Sequence, residues 1–137
     1  MEKIFSKKDN NLLLHIVNRK DNIMNRTNLS EDNAYLQVST LNINTTKKFK
    51  PHKHRFLERT TTRTQECWII IQGKIKATYY DIDDKIITEK ILEPGDCSIT
   101  YNGAHNIDIL EDNTLMYEIK NGPYMGNDRD IEYILQN

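Results

Sequence analysis

A chain of 137 residues has room for one domain with one modest core. Its hydrophobic fraction of 37% is lean but adequate for a compact fold, and a formal net charge of -1 supplies no global attraction to nucleic acid or to an anionic membrane. No window has the length and apolarity of a membrane span, and the first residues, with Glu2, Lys3, Lys7, Lys8 and Asp9, lack the apolar run of a signal peptide, so the expectation is a soluble cytoplasmic protein.

In chain order, Leu12, Leu13, Leu14, Ile16 and Val17 form an apolar patch, read as a strand or short helix that covers a barrel edge or meets a partner subunit. His15 inside it is expected to be a packed or surface residue. Residues 18–33 are rich in Asn and Asp and read as loop, so residues 1–33 are taken as an N-terminal extension and residues 34–137 as the main domain with a C-terminal arm. From Tyr35 the pattern changes to short strands: Tyr35–Ile43, Phe49–His54, Glu66–Ile71, Lys74–Tyr80, Ile86–Ile91, Cys97–Tyr101, Asn106–Leu110 and Leu115–Lys120. Turn signals separate them at Gln72-Gly73, Asp81 to Asp84, Pro94-Gly95-Asp96 and Glu111-Asp112-Asn113. The strands before and after Gln72-Gly73 are expected to pair. Asp130–Leu135 is expected to pack back as a strand or short helix.

Strands at this spacing, without long helical crossovers, predict an all-β barrel, closed or sandwich-like. Both faces of residues 67–71 are apolar, Cys67, Ile69 and Ile71 on one and Trp68 and Ile70 on the other. That strand should be covered on both sides, by the N-terminal patch or by a second subunit, and the latter predicts a homodimer. If Glu66 points inward, Trp68 and Ile70 form a dry floor beside a pocket. Cys67 and Cys97 are expected to be free thiols.

The chemistry concentrates in residues 50–73 and 94–105. His52 and His54 are two apart, so on a strand both imidazoles project to one face. Glu66 precedes the apolar strand, and His105 follows the Pro94-Gly95-Asp96 turn. Three imidazoles and one carboxylate converging in a pocket would suit a divalent metal ion without selecting sharply among Zn, Fe, Mn, Ni and Co.

These two blocks resemble the paired motifs of the cupin superfamily. His52 and His54 match its His-X-His pair, Glu66 and Gly73 its Glu and the Gly seven residues on, and Pro94-Gly95-Asp96 with His105 its second block. The resemblance covers roughly residues 35–120 and implies a double-stranded β-helix, or jelly-roll barrel, with metal ligands His52, His54, Glu66 and His105. Glu58 is the alternative carboxylate, at the shorter spacing usual after the second His. Arg59, Thr64-Gln65-Glu66, Gly103-Ala104-His105 and residues 118–124 are similar to small single-domain cupins associated with surface-polysaccharide and nucleotide-sugar gene sets, which implies a sugar-related ligand.

Lys47, Lys48, Lys50, Lys53, Arg55, Arg59 and Arg63 gather positive charge near the proposed pocket mouth. Arg59 and Arg63 are the candidate anchors for a small anionic or polar sugar-like ligand, since guanidinium holds phosphate or carboxylate with its planar fork; Gln65, Tyr79 and Lys120 complete the substrate-binding candidates. No spaced aromatic or glycine-rich nucleic-acid motif accompanies the charge. On the last strand Met116, Glu118 and Lys120 share one face, and Leu115, Tyr117 and Ile119 share the other, read as core or interface. Candidate catalytic groups are His52 or His54 as a base, with Glu118 and Tyr101 as acid or base. The expected function is a metal-binding cupin that acts on or recognises a sugar or nucleotide sugar, as an isomerase or epimerase; the alternatives are a noncatalytic binding or regulatory cupin and a metal-dependent dioxygenase.

Overall fold

The computed structural model describes residues 1–134. Among them the regular structure is almost all β: β1 (Glu2–Phe5), β2 (Leu13–Asn18), β3 (Thr27–Asn28), β4 (Ser39–Thr40), β5 (Glu66–Gln72), β6 (Ile75–Tyr80), β7 (Ile86–Leu92), β8 (Cys97–Thr100), β9 (His105–Ile109) and β10 (Leu115–Lys120), with a 3-10 turn at Lys20–Asn22 and, after β10, a helical turn, α1 (Asn127–Asp130). No described helix is long and apolar enough to cross a membrane.

The strands form a five-stranded sheet in the order β1-β2-β8-β5-β10, a three-stranded sheet in the order β7-β6-β9, and a ribbon of β3 with β4. Every pairing is antiparallel. The all-β expectation therefore holds, but the larger sheets are separate ladders and no continuous barrel closes among the described residues. The expected pairing of β5 with β6 is overturned: β5 pairs with β8 and β10, and β6 with β7 and β9. Gly73 carries the chain from one sheet to the other at φ +78°, where a Cβ would lie 2.3 Å from Thr114 Oγ1 and 2.8 Å from Thr114 Cα. A two-residue loop at this position makes a sheet crossing because both strand edges beside it are already taken.

The first core lies between the two sheets, where Ile4, Val17, Trp68 and Ile70 meet Ile75, Ala77, Tyr79 and Leu92. Alternation on β5 sends Cys67 to the opposite face, into a second core with Ile16, Cys97, Ile99, Leu29 and Tyr101. Residues 29–38 cover that face, with Ala34, Leu36 and Val38 packed against it. The cover is pinned by Leu29 N–H donating to the Val38 carbonyl at 2.9 Å and Leu36 N–H donating to Gln65 Oε1 at 2.9 Å. The two-sided burial expected of β5 thus comes from the chain's own residues 29–38, with Leu13 contributing from the N-terminal patch. β2 in turn occupies the free edge of β8, the strand version of the edge cover.

Three further expectations change. Tyr35–Ile43 yields only the two-residue β4, and Phe49–His54 forms no strand: residues 41–64 are all exposed. Pro51 removes a ladder donor there, and the scattered Lys and Arg leave no apolar face whose burial could offset the ordering entropy. On β10 the Leu115, Tyr117, Ile119 face is exposed, because residues 29–38 pack over β2, β8 and β5 and leave this edge strand bare. The core reading of that face is withdrawn. After β10, residues 127–130 make a helical turn and residues 131–134 are irregular; Leu135, the last residue of the expected C-terminal element, lies outside the described residues.

Cys67 and Cys97 are both free and buried. They sit diagonally on neighbouring strands, since Cys67 pairs with Ile99 and Cys97 with Ile69. The two thiols are hydrogen-bonded to each other, which, together with burial, pushes the Cys67 pKa up, while Cys97 is drawn down.

Candidate functional site

Strand register builds the site. His15 on β2 is paired with Thr100 on β8, Thr100 with Glu66 on β5, and Glu66 with Lys120 on β10, so these four residues form one row across the five-stranded sheet. Paired residues project to the same face, and two positions further along, Val17, Ser98, Trp68 and Glu118 make a second row on that face. The first row is polar throughout, whereas the second contributes Val17 and Trp68 to the first core, so the polar row borders that core at one end of the sheet.

β9 of the opposing sheet adds His105. Its Nε2 lies 3.5 Å from Glu66 Oε1, and its ring meets Trp68 edge to face at 4.8 Å between centroids. Lys120 Nζ lies 3.2 Å from the other oxygen, Glu66 Oε2, and 2.7 Å from Glu118 Oε1. Burial alone would raise the Glu66 pKa, but the His105 contact and the Lys120 charge outweigh it and hold the carboxyl at about 2. The Glu118 contact, followed by Glu66, holds the Lys120 ammonium above its ordinary pKa against burial. His105 Nδ1 is buried without a hydrogen-bond partner, an arrangement less costly for a bare lone pair than for an N–H, so the neutral ring carries its proton on Nε2, facing Glu66.

These groups open onto a cleft of about 1990 Å³, whose walls include Arg63, Thr78, Tyr80 and Thr100 and whose far side is formed by Tyr124 and residues 130–134. Asn121, just beyond β10, fixes the near end: its Oδ1 accepts from Gln65 N–H at 2.6 Å and its Nδ2–H donates to the Arg63 carbonyl at 3.2 Å.

The sequence-derived candidates divide into three groups. Glu66, His105, Lys120, Glu118, Arg63 and Tyr101 line the cleft, although the Tyr101 hydroxyl is already committed to Ser30 Oγ at 3.0 Å. Tyr79 and Gln65 do not line the cleft: Tyr79 is wholly buried with its hydroxyl 2.7 Å from Ser98 Oγ, and Gln65 Oε1 accepts from Leu36 N–H in the covering residues 29–38. His52, His54, Glu58 and Arg59 lie in the exposed segment 41–64 and do not line the cleft. The two imidazoles are neighbours, 5.6 Å between centroids, but stand apart from Glu66 and His105.

This arrangement does not fit the expected metal. Among the described residues no group of three or more His, Cys, Asp or Glu side chains is placed to hold an ion. The two expected ligands that do meet, Glu66 and His105, share their site with an ammonium: Lys120 Nζ lies on Glu66 Oε2, where its charge opposes a second cation. The sequence reading also passed over His15 and Thr100, because a histidine within an apolar stretch gives no sign of its cross-strand partner. Trp68, expected as floor, lies beneath His105. Comparison with protein-family models, with curated proteins and with solved structures returns no match.

Proposed function

We propose that this chain is a small cupin-type protein that recognises a sugar-like ligand, such as the glycosyl part of a nucleotide sugar, in the cleft beside Glu66. The observation that carries this reading is the Glu66 carboxylate held between His105 and Lys120 at 3.5 and 3.2 Å on the wall of an open cleft. An acceptor of fixed charge, an ammonium donor and an imidazole N–H grouped beside an indole form a hydrogen-bonding set suited to hydroxyl groups. Arg63 adds a cation at the wall for an anionic portion of the ligand. The cupin reading rests on the His-X-His, Glu-X6-Gly and Pro-Gly-Asp motifs, and the all-β, antiparallel architecture is compatible with it.

Recognition is preferred over catalysis because a carboxylate with a pKa of about 2 is a feeble base, whereas it remains a good hydrogen-bond acceptor. The isomerase or epimerase reading is favoured by one observation, the His105 Nε2 beside Glu66. In that version His105 moves the proton next to a substrate carbonyl, and Glu66 stabilises the imidazolium that forms. No step is assigned to a metal. Metal binding through His52, His54, Glu66 and His105 would require segment 41–64 to fold onto the cleft and Lys120 to leave Glu66.

The test is calorimetric titration of the untagged chain with free sugars and nucleotide sugars. Binding that falls about tenfold or more in Glu66→Gln and in Lys120→Met supports the assignment, each change removing a charged hydrogen-bond partner. Binding unaffected by either variant sinks it. Exchange of a sugar C–H in deuterated water, abolished by His105→Gln, would move the assignment to an isomerase or epimerase. Stoichiometric metal lost on His52→Ala would restore the metal site.

A further inference from the structure

His15 has no role in the recognition site described so far, yet it begins the polar row and is fully buried. Its Nε2 lies 3.3 Å from the Tyr80 carbonyl oxygen and its Nδ1 lies 3.0 Å from Thr100 Oγ1. A carbonyl only accepts, so Nε2 carries the proton. In the neutral ring Nδ1 is then a bare acceptor, and the Thr100 hydroxyl must donate to it. The charged ring, which would reverse that last bond, is disfavoured by burial, which lowers the His15 pKa to about 4.

The surroundings hold this orientation. The Tyr79 ring packs against His15 at 4.7 Å between centroids. Gly103, at φ +76°, leaves the room the imidazole needs: a Cβ there would stand 2.5 Å from the Tyr80 carbonyl oxygen and 3.3 Å from His15 Nε2. Thr100 lines the cleft, and with its proton committed to His15 it can offer the cleft only lone pairs.

We propose that His15 is a positioning residue that fixes Thr100 as a hydrogen-bond acceptor, and that Thr100 and Glu66, paired across β8 and β5, select a ligand presenting two neighbouring hydroxyl donors. This rests on the sugar-recognition reading above and narrows it. Paired positions on adjacent strands hold their Cβ atoms about 4.5–5.5 Å apart, a spacing suited to adjacent hydroxyls of one pyranose ring. Two acceptors side by side repel a phosphate or carboxylate. An anionic portion of the ligand is directed away from this corner, towards Lys120 and Arg63.

The experiment uses the full chain, uniformly labelled with nitrogen-15, with methyl α-D-mannopyranoside and uridine diphosphate glucose as the sugar probes and inorganic phosphate as the anion probe. Long-range proton–nitrogen correlation should find His15 as the Nε2–H tautomer at neutral pH; an Nδ1–H ring or a cation overturns the orientation. Thr100→Val, which keeps shape but loses the acceptor, should weaken the sugar probe about tenfold, and Thr100→Ser should restore most of it, as expected for one ligand hydrogen bond. Equal affinity in wild type and Thr100→Val overturns the selection, as does phosphate displacing the sugar from Thr100 and Glu66. His15→Phe should also weaken sugar binding, and if that variant does not fold, Thr100→Val decides alone because it leaves His15 in place. Failure of both sugar probes to bind a wild type with the Nε2–H tautomer removes the sugar reading, and with it the ligand half of this proposal, while the His15–Thr100 orientation stands.

Discussion

Acidification should destabilise this protein well above the pH at which its carboxylates protonate, and His15 is the reason. In the unfolded chain His15 titrates near 6.5, and in the fold burial brings it down to about 4. Between those values the unfolded state binds a proton that the folded state does not, so stability is intact above pH 6.5 and is lost as pH falls towards 4. At 1.36 kcal/mol per unit the full loss is about 3 kcal/mol, a large share of the 5–15 kcal/mol typical of a domain. The depressed Glu66 carboxyl acts in a lower window, its stabilisation being lost as pH falls from 4.5 towards about 2, so the two effects separate. The assay is urea unfolding followed by far-ultraviolet circular dichroism at pH 7, 6, 5 and 4.5, on wild type and His15→Gln. Gln retains an amide N–H for the Tyr80 carbonyl and an oxygen for the Thr100 hydroxyl, but does not titrate. The wild-type curve should fall below the variant's by up to about 1.4 kcal/mol for each pH unit under 6.5. Parallel curves over pH 7 to 4.5 would refute the assignment of a buried, neutral His15.

Other expectations test the fold. Gly73→Ala should cost about 2–4 kcal/mol in the same unfolding assay, from a left-handed φ of +78° and a collision with the Thr114 backbone; a loss below about 0.5 kcal/mol would mean the sheet crossing is built differently. Leu29→Ala should cost about 2–5 kcal/mol because it opens a cavity under residues 29–38, whereas Phe56→Ala, on an exposed side chain, should stay within about 0.5 kcal/mol. Brief trypsin treatment should cleave first between Lys47 and Arg63 and leave the sheets intact by circular dichroism. First cleavage at Lys76 or Lys90 would contradict the exposure of segment 41–64.

The strands whose alternation and turns agree were legible from the residues alone. Glu66–Gln72, Ile75–Tyr80, Ile86–Leu92, Cys97–Thr100, His105–Ile109 and Leu115–Lys120 fall within a residue or so of where their patterns put them. The apolar residues on both sides of 67–71 also announced burial on both faces, which holds for Cys67 to Ile70, while Ile71 at the end of the strand is exposed. Tertiary structure decided which strand lies beside which. Local pattern carries no information about whether the chain after Gly73 turns back on its own strand or crosses to another sheet, since both begin with the same turn. The same gap explains the site. Glu66 and His105 were legible as neighbours through their motifs, but the row His15, Thr100, Glu66, Lys120 draws its members from four strands in a register set by the cores below. His52 and His54 show the converse: their spacing promised a shared face, but a shared face exists only on a strand that finds a partner, and segment 41–64 finds none.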